Sequence, residues 1–265
     1  MMRKDKKRFK VAMIGHKRVP SREGGIEVVV EELSVRMVER GLKVDVYNRK
    51  DRFGKAYKQP REYKGIRIIQ IPTFKVSALN AFVYSVLASF RALFGGYDCI
   101  HYHAEGPCAM MWLPKLFGIH TVATIHGLDW QRAKWGGFST KYLKLGEKCA
   151  SKYADELIVL SNNNQKYFKE TYGRDTHLIP NGIVKKNADY PARDISEIFG
   201  LQKDGYILFL ARIVPEKGLH YLIEAFKAVE TNKKLVIAGD LTPGNEYVEK
   251  IKKMASEDER IILTG

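Results

Sequence analysis

Cysteine is scarce in this 265-residue chain: Cys99, Cys108 and Cys149 are odd in number and show no CxxC spacing. That excludes a disulfide framework and a thiolate metal site, and leaves buried thiols as their plain reading. Long hydrophobic runs are missing too. The longest apolar stretch, 76–96, is interrupted by Ser77, Asn80, Ser85, Ser89 and Arg91, whereas a membrane-spanning helix needs about 20 nearly uninterrupted apolar residues. Residues 9–15 follow a basic start (Arg3, Lys4, Lys6, Lys7, Arg8), but they are too few for a signal-peptide core and run straight into a strand pattern. The expectation is a cytoplasmic chain without a transmembrane segment. Negative charge is the rarer sign, with 30 Asp and Glu against 45 Lys and Arg. The excess concentrates early: residues 1–67 hold 20 Lys and Arg and nine Asp and Glu. Such a basic face suits anionic lipid headgroups, phosphorylated substrates or plain solvation. No zinc-finger, RNA-recognition or helix-turn-helix signature accompanies it, so no nucleic-acid partner is expected.

What the chain does have is apolar content, 45% of residues, spread without long polar tracts, which makes it globular. β-rich runs alternate with helix-length amphipathic segments, the pattern that builds a parallel sheet with crossover helices. Strands are expected over 10–15, 42–48, 66–71, 98–103, 120–126, 156–161 and 177–180. Helices are expected over 25–40, 78–94, 107–117, 139–153 and 162–172; the first has apolar residues at 26, 29, 30, 33 and 37 and a Gly41 stop. The fold class is therefore α/β, with a doubly wound parallel-sheet domain over 1–186 and a polar, irregular linker over 187–204 that contains Pro191. A second series fills 205–265: strands over 206–211, 234–239 and 260–264, helices over 218–229 and 245–256. Three strands and two helices cannot cover both faces of a parallel sheet. An incomplete, truncated second Rossmann-like domain is the expectation.

The first strand leads into a long loop, from Gly15-His16-Lys17-Arg18 to Gly24-Gly25 at the start of the next helix. Glycines let a backbone approach a ligand closely, and a helix N-terminus favours an anion. A phosphate cradle and a flexible connection both fit the glycines alone. The loop is not GxGxxG, and the second strand lacks the acidic residue that would hold an adenine-side ribose, so a nicotinamide dehydrogenase is not expected. His126 closes a strand and is followed by Gly127-Leu128-Asp129-Trp130. This sets an imidazole and a carboxylate at the carboxyl end of a parallel sheet, where ligands bind, though a lone histidine is also commonly structural. His101 and His103 alternate on one strand without a third ligand, so no zinc site is expected. Asn181-Gly182 reads as a tight turn. Arg212 and Lys217 bracket the start of the 218–229 helix. Cations there oppose the helix dipole, and a diphosphate would reconcile them, Arg as a planar fork and Lys as a point charge. Ordinary exposed cations are the alternative.

Together, Gly24-Gly25 after strand one, a histidine ending a central strand, Pro180-Asn181-Gly182 and the Arg-x4-Lys pair Arg212/Lys217 resemble the family 4 retaining glycosyltransferases of the GT-B fold. The opening Met13-Ile14-Gly15-His16 through Glu27, and the segment Thr124 to Arg132, look closer still to the rhamnosyltransferase-like subgroup of surface polysaccharide assembly. The resemblance implies an N-terminal domain that receives the acceptor, a C-terminal domain that holds a nucleotide-diphosphate sugar, and transfer without a cofactor or bound metal. The acceptor would be a saccharide or a polyprenyl-diphosphate-linked saccharide. It further implies His126, Arg212 and Lys217 as catalytic residues and Gly24, Gly25, Asn181, Arg212 and Lys217 as donor-binding residues. His16, Arg18, Asp129 and Trp130 would lie on the acceptor side. The family's Glu-x7-Glu pair has no counterpart in the right context here, which accords with a truncated chain. A truncated noncatalytic module that binds acceptor or the cytoplasmic face of an anionic membrane is the competing reading.

Overall fold

The computed structural model describes residues 8–51, 60–73, 77–131, 137–183 and 193–265. The chain separates into two compact units, 1–183 and 184–265.

The first unit runs β1 (Lys10–Ile14), α1 (Gly25–Glu39), β2 (Lys43–Asp51), β3 (Glu62–Tyr63), β4 (Ile66–Thr73), α2 (Ser77–Leu93), β5 (Cys99–His103), α3 (Glu105–Cys108), α4 (Trp112–Leu116), β6 (His120–Ile125), α5 (Gly137–Tyr153), β7 (Glu156–Val159), α6 (Asn162–Tyr172) and β8 (His177–Leu178). The strands form one sheet in the order β3-β4-β2-β1-β5-β6-β7-β8. Every pairing is parallel except β3 with β4. β1 shows why the sheet is wrapped on both sides. Ala12 and Ile14 enter the core cluster built with Tyr84, Ala88, Ala150 and Phe168 of α2, α5 and α6, while Val11 and Met13 enter a second cluster with Val30 of α1. Alternate side chains of a strand face opposite ways, so an unbroken apolar strand needs a layer on each face. The order reverses between β1 and β5, which makes their carboxyl ends the switch point where ligands of open α/β sheets bind.

The second unit holds α7 (Arg193–Phe199), β9 (Tyr206–Leu210), α8 (Leu219–Lys227), β10 (Lys234–Ala238), α9 (Glu246–Ser256) and β11 (Ile261–Leu263). Its strands pair in parallel in the order β11-β10-β9. Leu219, Ile223 and Phe226 of α8 and Val248, Ile251 and Ala255 of α9 pack on Leu235 and Ile237 of β10. β9 has one strand partner among the described residues and leaves Leu208 and Leu210 53% and 75% exposed.

Three expectations change. The single helix over 107–117 is two short helices, α3 and α4, joined by tight turns such as Met110 N–H to Pro107 O at 3.1 Å. Pro114 explains the break: it has no N–H to give Met110 O and its ring would clash there, so it is tolerated only in a first turn. The linker expected to be irregular over 187–204 contains α7, with Ser196 Oγ–H donating to Leu201 O beyond its end at 2.9 Å, while its residues 187–192 lie outside the described residues. The antiparallel β3 is two residues long, too short to leave a periodic signal.

Candidate functional site

β1 delivers Gly15 and His16 to the switch point. Gly15 has φ +128°, and a Cβ there would sit inside the carbonyl oxygen of His103, so glycine lets the segments after β1 and β5 pass this closely. His16 is 1% exposed, with Nε2 2.9 Å from Asn48 Oδ1 of β2. Asn48 is fixed in turn by Val19, accepting its N–H at 2.9 Å and donating to its carbonyl at 2.8 Å. Burial lowers the His16 imidazole to about 4 against the opposing pull of the Asn48 bond.

β5 is buried along its whole length although it carries two histidines. His101 and His103 stand on the same face, rings stacked at 4.2 Å. His101 Nε2 lies 2.8 Å from Thr124 Oγ1, and His103 Nδ1 lies 3.1 Å from His126 Nε2, just past the end of β6. Burial lowers His101 to about 3 and His126 to about 4, and holds His103 well below its ordinary value, so all are neutral imidazoles. Among the described residues no group of three or more His, Cys, Asp or Glu could hold a metal ion.

Ala104 follows with φ 71° and ψ 160°, a region costly for any residue with a Cβ, about 1–3 kcal/mol. The strained turn aims Glu105 inward. Glu105 and Glu147 of α5 are both fully buried. Glu105 Oε2 accepts the Asp129 N–H at 3.0 Å, and Glu147 accepts from Trp130 Nε1 at 2.9 Å, the Tyr167 hydroxyl at 2.8 Å and the Tyr172 hydroxyl at 2.5 Å. Desolvation, then the nearby Asp129 and Glu147 carboxylates, raise Glu105 well above the carboxylate range and keep it protonated. This network ties the single turn Asp129–Gln131 to α3, α5 and α6. Lys144 lies over the Trp130 ring, 4.3 Å from its centroid.

The N-terminus of α1 closes the site. Gly24 caps the helix in an extended conformation, and Gly25 is exposed with open space where a Cβ would be. The positive end of the helix is shared with an anion of the protein's own: Glu27, 6% exposed, accepts the Lys17 N–H at 3.0 Å and lies against Gly24. Its charge also reaches His16 and His126. The fold thus gathers His16, Gly24, Gly25, His126, Asp129 and Trp130 around the carboxyl ends of β1, β5 and β6. Arg18 pairs with Glu23 at the margin. Asn181 is exposed beyond edge strand β8, outside that gathering, and Arg132 lies outside the described residues.

In the second unit Arg212 and Lys217 are exposed between the carboxyl end of β9 and the start of α8. Gly218, φ 67°, is the N-cap of α8 and offers it no side-chain hydrogen bond. Among the described residues neither cation has an ion pair or a side-chain hydrogen bond. Two unpaired cations stand beside the start of α8, where the positive end of the helix dipole adds to their charge, and the His220 N–H of its first turn donates to the Tyr247 hydroxyl at 3.4 Å.

Sequence reasoning missed Glu27, Asn48, His103 as a partner of His126, and the Glu105–Glu147 pair. Glu147 had a signal. It sits on the buried stripe Leu143, Gly146 and Ala150 of α5, a core position where a carboxylate needs a reason.

An α/β sheet with a polar switch point, followed by a second parallel unit, is the architecture of a GT-B glycosyltransferase. The chain belongs to Glycosyltransferase Family 4, whose model matches residues 23–186, and the Glycosyl transferases group 1 model matches residues 192–260. It is 26% identical over 255 residues to O-antigen chain mannosyltransferase C of Escherichia coli, covering 93% of this chain and 64% of that protein. Among solved structures, sucrose-phosphate synthase from Thermosynechococcus elongatus superposes with a TM-score of 0.73 at 21% identity, over 97% of this chain and 70% of that one. Anabaena Alr3699/HepE in complex with UDP and glucose superposes with a TM-score of 0.70 at 17% identity, over 97% and 68%. At these identities the structures establish the fold. The chain spans less than two thirds of the length of the first curated relatives it matches, 64% and 62%.

Proposed function

We propose that this chain takes a nucleotide-diphosphate sugar and transfers its sugar, with retention, to a saccharide or polyprenyl-diphosphate-linked acceptor in cell-surface polysaccharide assembly at the cytoplasmic face of the membrane. The observation that carries this reading is the pair Arg212 and Lys217, exposed and unpaired at the N-terminal end of α8. As the sugar departs, negative charge grows on the leaving diphosphate, and cations already in place stabilise it where it grows. In this reading they serve in place of a divalent metal. Residues 205–265 take the donor diphosphate, and the first unit takes the acceptor around Asp129 and Trp130, with His126 against the sugar. Rhamnose is the donor sugar that the 124–132 segment favours, and the mannosyltransferase relative makes mannose its main competitor.

The test is transfer from a panel of UDP-, GDP- and dTDP-sugars to polyprenyl-diphosphate-linked saccharides. Arg212→Ala should lower turnover by about 10²–10³-fold with an unchanged circular dichroism spectrum; unchanged turnover would refute the role. A second reading, membrane docking without catalysis, is favoured by a specific patch. Phe90 of α2, Phe94 just past its end, and the Leu116-Phe117 end of α4 are 56–77% exposed, on helices that pack together beside Arg91 and Lys115. Among the described residues no helix is long and apolar enough to cross a membrane. That reading predicts sedimentation with anionic vesicles and no response to nucleotide sugars.

A further inference from the structure

Two neutral imidazoles in contact share one hydrogen between the touching nitrogens. His103 Nδ1 and His126 Nε2 are 3.1 Å apart, so either ring could donate. The surroundings of His103 decide between them. The ring is fully buried, stacked on His101 at 4.2 Å, and its Nε2 is sealed from solvent with no hydrogen-bond partner. If His126 donated, the one N–H of His103 would sit on that sealed Nε2. A buried donor without an acceptor loses its hydration and gains nothing in return. If His103 donates from Nδ1, its Nε2 is left only with an unused lone pair, the milder deficit.

We infer that His103 is a positioning residue that fixes the tautomer of His126, holding His126 Nε2 as an acceptor and placing the His126 hydrogen on Nδ1. His126 is half-buried, and its Nδ1 makes no hydrogen bond to the described residues. The ring therefore meets a ligand as a hydrogen-bond donor, suited to an oxygen acceptor such as a sugar hydroxyl, and not as a base. Burial that keeps both rings neutral is consistent with this division. The identity of the ligand rests on the function proposed above; the tautomer does not.

The experiment is long-range ¹H–¹⁵N correlation spectroscopy on the full chain with ¹⁵N-labelled histidine, ligand-free and at neutral pH, with His126 assigned by the signals lost in His126→Gln. The expected result is a protonated Nδ1 and a bare Nε2 on His126, the reverse of the preference of free histidine in water. In His103→Phe, which keeps a ring but removes the donor, the His126 hydrogen should move to Nε2. In His103→Asn, whose side-chain NH₂ can stand at the Nδ1 position, it should return to Nδ1. A protonated His126 Nε2 in the unsubstituted chain overturns the inference, as does a His126 that keeps its Nδ1 hydrogen in folded His103→Phe. Should His103→Phe fail to fold, the unsubstituted chain and His103→Asn still decide. A chain with the expected tautomer but no binding of any nucleotide sugar would sink the proposed function and leave this inference standing.

Discussion

Four imidazoles buried at one end of a sheet make the stability of this protein depend on pH in a direction that can be worked out. His16 and His126 titrate at about 4 and His101 at about 3, against 6.5 when unfolded, and His103 is also lowered. Below pH 6.5 the unfolded chain therefore binds protons that the folded chain refuses. Stability falls as pH falls, by up to about 1.4 kcal/mol per pH unit for each histidine. Glu105 works the other way: its raised value keeps it protonated when folded while the unfolded carboxyl ionises above about 4.5, so its contribution is lost as pH rises. One carboxyl cannot outweigh four imidazoles in the range they share. The urea midpoint should therefore peak near pH 7, drop steeply toward pH 4 and decline gently above neutrality. A flat profile between pH 7 and 5 would mean that the histidines are not buried as described. None of this was visible in the sequence. His101 and His103 alternate there like any exposed strand pair, and Glu105 and Glu147 are far apart until α5 packs on α3.

Elements were legible where their period is long enough to count. The strands β1, β2, β4 to β7 and β9 to β11, and the helices α1, α2, α5, α6, α8 and α9, lie within a few residues of the apolar patterns that announced them. The failures have local causes: Pro114 splits a helix-like pattern, β3 is too short to have a period, and α7 is seven residues in a polar stretch. The packing between α3 and α5 is held by a glycine on the buried stripe of α5. Gly146 of α5 lies against the Glu105 backbone, and a Cβ there would overlap the Glu105 carbonyl oxygen. Gly146→Ala should destabilise the protein by about 1–3 kcal/mol, despite alanine's higher helix propensity, because a backbone carbonyl cannot turn aside. Thermal unfolding would measure it, and a neutral or stabilising effect would show that α3 and α5 are not packed this tightly.

At the scale of the whole molecule, the two units carry different chemistry. The first buries a network of histidines, tyrosines and two glutamates around a switch point, with His103 Nε2 and Glu105 Oε1 left unpartnered. The second exposes two unpaired cations at a helix start. Arg212 and Lys217 were legible because they are a local pattern, a strand end followed by a helix start, and the sequence alone supplies both. The site of the first unit was legible only in part: the strand-ending His126 could be picked out, but its partner on β5 and the Glu27 carboxylate at the α1 terminus arise from the fold. The central claim is that Arg212 and Lys217 form a diphosphate site. Isothermal titration of the 265-residue chain with UDP, GDP and dTDP tests it most directly. At least one nucleoside diphosphate should bind, the corresponding monophosphate should bind more weakly, and Arg212→Ala together with Lys217→Ala should abolish the heat. Binding that survives both substitutions, or no binding by any of the three, would contradict it.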